Sequence, residues 1–250
     1  MNKITAIIPA RYQSSRFPGK PLADIFGKPM IWWVYNQVKK VDEFHLVVVA
    51  TDDKRIETVC HSFDMEVVLT SDSHPTHVHR IHEVSDIIQS DYYVVVCGDE
   101  PLIKPEIIRV ALPDESGHEH GKMYVGGLCR YFTDPAEVID PANIKIVTNE
   151  EDECILLSRS PIPFPYKTVL FKYKKVVGVE CYNKRALDFF VSTPKGFLES
   201  IEDVTLQRFL ENKIHIKYKL VSSESLSVDT PRDLEKVKSI IENNKEKYGI

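Results

Sequence analysis

Four short runs of apolar, largely β-branched residues, at 4–9, 46–50, 67–69 and 92–96, are separated by segments of helical periodicity at 30–39, 53–63 and 79–88. Runs of this kind, apolar without alternation, predict strands buried on both faces. Strands that alternate with helices join through right-handed crossovers into a mostly parallel sheet covered on both sides. The predicted class is therefore α/β, and ligands of such sheets bind beyond the carboxyl ends of the strands.

Two of those ends carry chemistry. The first run leads into Arg11-Tyr12-Gln13-Ser14-Ser15-Arg16-Phe17-Pro18-Gly19-Lys20-Pro21, too rich in proline and cations for a helix. The fourth leads into Gly98-Asp99-Glu100-Pro101. The two ends are expected to face one crevice. After about Gly121 the alternation weakens, and 143–147 followed by 154–157 reads as a hairpin around the acidic turn 149–153. A strand at 176–181, helices at 184–191 and 200–212, a strand at 214–221 and a charged terminal helix at 232–245 complete the reading. The 250 residues suit one α/β domain, with room for a small subdomain around 121–182.

Composition narrows the partners. A net charge of −5 gives no global attraction to nucleic acid or to an anionic membrane, so any anion must be held locally. No apolar run approaches the roughly 18 residues of a membrane span, and the opening residues show no signal-peptide pattern. Cys60, Cys97, Cys129, Cys154 and Cys181 are scattered and odd in number, which argues against a disulfide framework and for a cytoplasmic protein.

The loop from Arg11 to Lys20 places three cations beside small polar residues and a glycine, a composition suited to a triphosphate. It lacks the Walker A pattern, and a solvated surface loop is the competing reading. Asp99 directly follows an apolar strand, where an unpaired carboxylate is costly, and Asp229 occupies a similar junction. Together they could hold Mg²⁺ against phosphate oxygens. The alternatives are an Asx turn at Asp99 and a helix cap at Asp229, with Thr230 the other capping candidate.

Longer motifs separate these readings. Ile7-Ile8-Pro9-Ala10-Arg11-Tyr12-x-Ser14-Ser15-Arg16-Phe17-Pro18-Gly19-Lys20-Pro21-Leu22 closely resembles the opening of 3-deoxy-manno-octulosonate (Kdo) cytidylyltransferases, as does Gly27-Lys28-Pro29-Met30-Ile31. So do Ala50-Thr51-Asp52-Asp53, Gly98-Asp99-Glu100-Pro101-Leu102-Ile103, Ser158-Arg159-Ser160-x-Ile162-Pro163 and Val228-Asp229-Thr230-Pro231-x-Asp233-Leu234, in order along nearly the whole chain. The resemblance implies a nucleotide-diphospho-sugar transferase fold with a smaller β-rich subdomain for dimerisation and acceptor binding. It implies CMP transfer from CTP to a sugar acid, a homodimer, and a role in lipopolysaccharide or capsule assembly. By the same resemblance Asp99 and Asp229 bind Mg²⁺ and act in catalysis with Lys20 and Arg11. Pro9, Ala10, Arg11, Ser14, Ser15, Lys20, Arg80, Gly98 and Asp99 bind the nucleotide, with Arg16 a further phosphate contact.

The departures fall on the acceptor side. Where the family carries His-x-Ser-Gly-Thr-acid-Arg, this chain has His74-Pro75-Thr76-His77-Val78-His79-Arg80. Cys97 replaces a Gln, Val176 replaces a His that faces the sugar acid, and a Glu-Gln-Leu-Arg run becomes Thr205-Leu206-Gln207-Arg208. Cys97, Arg159, Val176 and Glu202 are the candidate acceptor residues, with Lys175 beside them. A site that hydrogen-bonds particular hydroxyls discriminates strongly, so these changes predict an acceptor other than ordinary Kdo, such as an amino-Kdo, a nonulosonate, another acid or a phosphonate. A catalytically silent CTP-binding protein is the remaining reading. His74, His77, His79 and His82 also raise the question of a transition-metal site, against which stands the strain of converging four side chains from one short segment.

Overall fold

The computed structural model describes residues 2–14, 16–113, 122–168, 170–222 and 226–248. The strands are β1 (Ile4–Ala10), β2 (Asp24–Ile25), β3 (Lys28–Pro29), β4 (Leu46–Thr51), β5 (Val67–Leu69), β6 (Tyr92–Val96), β7 (Val125–Tyr131), β8 (Lys145–Thr148), β9 (Cys154–Ser158), β10 (Lys174–Asn183) and β11 (Lys217–Leu220). The helices are α1 (Met30–Val38), α2 (Lys54–Ser62), α3 (His77–Ile87), α4 (Pro105–Val110), α5 (Lys184–Ser192), α6 (Phe197–Glu202), α7 (Gln207–Glu211), α8 (Pro231–Glu242) and α9 (Lys245–Tyr248).

The central sheet runs β11-β7-β10-β6-β1-β4-β5. β5, β4, β1 and β6 are mutually parallel, and β10 is antiparallel to both β6 and β7. The chain leaves β1 toward β4 and β5, then returns to β6 on the other side of β1. Strand order thus reverses at β1, which opens a crevice between the carboxyl ends of β1 and β6. The β8–β9 hairpin joins the sheet through β10.

Side chains alternate across the strands, as the pleat requires. Ile4, Ala6, Ile8 and Ala10 of β1, with Tyr92, Val94 and Val96 of β6, pack against α1, α2 and α4 on one face. Ile7, Tyr93 and Val95 pack against α3 and α5 on the other. Because both faces are covered, the strands read as continuous apolar runs. A third cluster of Ile25, Met30, Trp33, Leu102, Val228, Leu234, Val237 and Ile241 seats α8 against α1 and the loop after β6. Trp33 belongs to this core and donates its indole N–H to the Ile25 carbonyl.

Two expectations need correction. The helix expected over 200–212 is two short helices, α6 and α7, because Asp203 ends α6 in the left-handed region (φ 50°). The weak pattern after Gly121 hides β7, which lies inside the sheet between β10 and β11. Its Gly126-Gly127 pair reads against a strand. Gly127 is nevertheless required there, since a Cβ would stand 2.7 Å from the Tyr218 ring.

Candidate active site

The crevice beyond β1 and β6 is a cleft of about 550 Å³. Pro9, Ala10, Arg11, Ser14 and Lys20 reach it from β1 and the loop that follows, and Cys97, Gly98 and Asp99 reach it from the end of β6. Gly98 permits this approach, because a Cβ there would lie 2.9 Å from the Pro9 carbonyl oxygen. Ser15 lies outside the described residues. Asp229, some 130 positions beyond Asp99, arrives by a specific tether: the Val228 N–H donates to the Asp99 carbonyl at 2.8 Å, and the Val228 side chain is fully buried.

Thr230, not Asp229, caps α8. Its hydroxyl accepts from the Asp233 N–H while the Asp233 carboxylate accepts from the Thr230 N–H, a complete capping box. Asp229 is left facing the cleft. There Lys20 Nζ lies 2.8 Å from an Asp99 carboxylate oxygen and 3.8 Å from an Asp229 oxygen, and Arg16 holds Asp229 at 2.8 Å. Two carboxylates that share one ammonium group offer hard oxygen donors close together, the donor set that Mg²⁺ prefers. The residues fit a divalent cation bridged to phosphate.

Arg80 lines the cleft, is almost fully buried, and donates to Asp52 and Thr70, each at 2.5 Å. The four histidines do not converge. His74 bonds Glu83, His79 bonds the Thr76 hydroxyl at 2.8 Å and packs edge-on against Phe190, and His82 bonds Asp188 at 2.9 Å. His82, Asp86 and Asp188 do approach one another, but Lys184 is already paired with both carboxylates.

His77 is the site residue that sequence reasoning undervalued. It lines the cleft and donates toward Glu180 of β10 at 2.9 Å, and Glu180 also accepts from the Tyr182 hydroxyl at 2.6 Å. Burial pulls the imidazole toward neutrality, but the Glu180 charge and hydrogen bond outweigh it and raise its pKa. Burial acts to raise the Glu180 carboxyl, and His77 and Tyr182 together bring it below its ordinary value. Burial pushes the Cys97 thiol well up, reinforced by Asp99, Glu180 and Glu100, so it stands in the wall as a neutral thiol.

The remaining acceptor candidates lie elsewhere. Val176 lines a smaller cavity next to the cleft. Arg159 is spent on backbone carbonyls of Pro141, Glu202 and Asp203, while Glu202 accepts from the Ser158 hydroxyl and the Arg159 N–H. Lys175 bonds Glu137 and Asn143. Arg208 is buried in a two-pronged pair with Glu199 at 2.6 and 2.7 Å and donates to the Phe190 and Thr193 carbonyls.

Known proteins resemble this chain along nearly its whole length. A cytidylyltransferase family model matches residues 5–218. The 3-deoxy-manno-octulosonate cytidylyltransferase of Escherichia coli is 35% identical over 241 residues, covering 96% of this chain and 97% of that protein. The enzyme of the same name from Trichlorobacter lovleyi is 39% identical, covering 94% and 97%. A solved CMP:2-keto-3-deoxy-manno-octonic acid synthetase complexed with CTP superposes with a TM-score of 0.89 at 34% identity, covering 97% of this chain and 99% of its own. The inositol-1-phosphate CTP transferase of T. maritima shares the fold at 16% identity, with a TM-score of 0.69 over 98% of each chain. This chain belongs to the 3-deoxy-manno-octulosonate cytidylyltransferase family and is a CTP-dependent cytidylyltransferase.

Proposed function

We propose that the protein transfers CMP from CTP to the hydroxyl of a sugar acid of the 3-deoxy-manno-octulosonate type and releases pyrophosphate. The observation that carries this reading is the Lys20 ammonium set between Asp99 and Asp229 at the mouth of β1 and β6. The acceptor oxygen attacks the α-phosphorus of CTP, the bond to the bridging oxygen of pyrophosphate breaks, and the acceptor proton is lost. Lys20 and Arg11 line the cleft and would oppose the negative charge that grows during transfer. Asp99 and Asp229 would hold Mg²⁺, which supplies charge neutralisation and alignment of the phosphates when bound. Arg80, already neutralised by Asp52, braces the cleft wall, while Cys97 and Val176 belong to the acceptor side. Ser158, Arg159 and Glu202 brace the strand end beneath that side.

A homodimer is part of the proposal. It is supported by the exposed aromatic and aliphatic side chains of Phe164, Tyr166 and Leu170, which a second copy would cover. Among the described residues no helix is long and apolar enough to cross a membrane, and all five cysteines are free, in keeping with a cytoplasmic site of action.

The test is pyrophosphate release with Mg²⁺ and CTP, set against ATP, GTP and UTP, across Kdo and related sugar acids. Release that needs both CTP and an acid is expected. Absence of release with every acid, while CTP still binds, would overturn the catalytic reading in favour of a silent nucleotide binder.

A further inference from the structure

Beyond His77 the cleft continues into a second cavity of about 80 Å³, and His77 and Asp203 line both. Its place relative to the reacting groups follows from β10. Val176, Gly178 and Glu180 share one face of that strand, because side chains alternate. Gly178 is fastened to the turn that carries Asp99: its carbonyl accepts from the Cys97 N–H at 2.8 Å, and its N–H donates to Glu100 at 3.1 Å. Val176 and Glu180, on either side, line the small cavity. A molecule presenting its hydroxyl beside Asp99 therefore lies within a strand step of this space.

The lining is unusual for a sugar subsite. Ile144, Leu157, Val176, Val204 and Leu206 supply an aliphatic wall. Glu180 cannot readily serve a ligand cation, since one of its oxygens already accepts from both His77 and Tyr182. Asp203 and Thr205 also line the cavity, and among its polar groups one is both fully buried and unmatched. The Tyr218 hydroxyl is buried without a hydrogen-bond partner among the described residues, and Tyr218 lines the cavity. Burial raises its pKa well above the ordinary tyrosine value, so it remains a neutral donor. A buried hydroxyl left unmatched is costly, and a ligand that supplies an acceptor there recovers the loss.

We infer that this cavity is an acceptor subsite for a short acyl group, its methyl against the aliphatic wall and its carbonyl accepting from Tyr218, which makes the substrate class an N-acylated sugar acid. The volume holds two to three water-sized groups, at roughly 30 Å³ each, which matches an acetyl group. The inference rests on the cytidylyl transfer proposed above. It adds Tyr218 as a specificity determinant and gives Val176 a place in the apolar wall.

The experiment compares kcat/KM for three acids that differ only at the terminal carbon: Kdo, its terminal-amino analogue and the corresponding acetamido analogue. The acetamido acid is expected to be favoured over Kdo by about tenfold or more, since an orphaned polar group and an apolar wall both discriminate against a bare hydroxyl. In the variant Tyr218→Phe the acetamido-to-Kdo ratio should fall by about tenfold. The same variant, having lost a buried unpaired hydroxyl, should unfold at an unchanged or higher temperature. Equal or better use of Kdo would overturn the subsite while leaving the cytidylyl transfer intact. Preference for the amino acid over both others would overturn it in favour of carboxylate recognition. A Tyr218→Phe variant with an unaltered ratio would remove the hydroxyl from the argument, and no turnover with any acid would overturn the underlying function itself.

Discussion

In the proposed reaction Lys20 would serve both as counter-ion of the two carboxylates and as a phosphate contact, so one substitution should move two measurements in opposite directions. In the free protein the ammonium group sits 2.8 Å from Asp99 and 3.8 Å from Asp229, with side-chain exposures of 15%, 26% and 34% for Lys20, Asp99 and Asp229. A charge-assisted hydrogen bond of this kind contributes about 1.5–3 kcal/mol, and partial exposure reduces that to about 1–2 kcal/mol. A divalent ion that enters between the carboxylates before nucleotide arrives must offset this interaction. Lys20→Met, which keeps the length and packing of the stem, removes the competitor and leaves two carboxylates repelling each other. Its affinity for Mn²⁺ without CTP should therefore rise about 5- to 30-fold, by the tenfold-per-1.4 kcal/mol relation. The same variant loses a cation aimed at the charge that develops in transfer, a loss of about 10²–10³ in kcat. Electron paramagnetic resonance of free Mn²⁺ gives the first quantity and pyrophosphate release the second. Weaker Mn²⁺ binding together with a turnover within about threefold of the unaltered protein would refute the assignment of Lys20 as both counter-ion and phosphate contact.

Two further substitutions test other charged pairs. Glu199→Ala leaves the Arg208 guanidinium, 3% exposed, without its carboxylate, and should cost about 3–5 kcal/mol in urea unfolding; a cost under about 1 kcal/mol would show that the backbone carbonyls suffice. Glu180→Gln should destabilise most between the ordinary carboxyl value of about 4.5 and the ordinary imidazole value of about 6.5, where both partners are charged. The raised His77 pKa contributes stability that is lost as pH rises through the folded value, and the lowered Glu180 pKa contributes stability lost as pH falls through its own. Arg11, whose charge opposes protonation of His77, moves the alkaline loss toward lower pH, and Tyr182 supports the carboxylate on the acid side. Unfolding followed across pH that shows a difference independent of pH would mean a neutral hydrogen bond between His77 and Glu180.

What the sequence reveals and what it conceals divide along sequence separation. β1, β4 and β6 are legible because each is buried on both faces, and burial on both faces leaves an unbroken apolar run that needs no partner to be recognised; β5, expected to be buried, is the edge strand of the sheet and leaves Leu69 exposed. The loop from Arg11 to Lys20 and the turn at Asp99 are legible as ends of those strands, and the reversal of strand order at β1 brings them together as expected. β7 is hidden because Gly127 answers to the Tyr218 ring, a demand made 91 residues away. Local propensity records only what a residue's neighbours in the chain require.

The acceptor side shows the same limit in sharper form. His77 pairs with Glu180 across 103 positions, and Arg16 with Asp229 across 213. The replacement of a glycine by His77 registers in the sequence as an isolated departure, yet in the folded chain it is one half of a charged pair whose other half stands on β10. An imidazolium at that wall without Glu180 would face Arg11 uncompensated, and a Glu180 carboxylate without His77 would be held at the cleft by Tyr182 alone. Each residue makes the other tolerable, so the costs of replacing them are coupled and the double replacement should cost less than the sum of the two single ones.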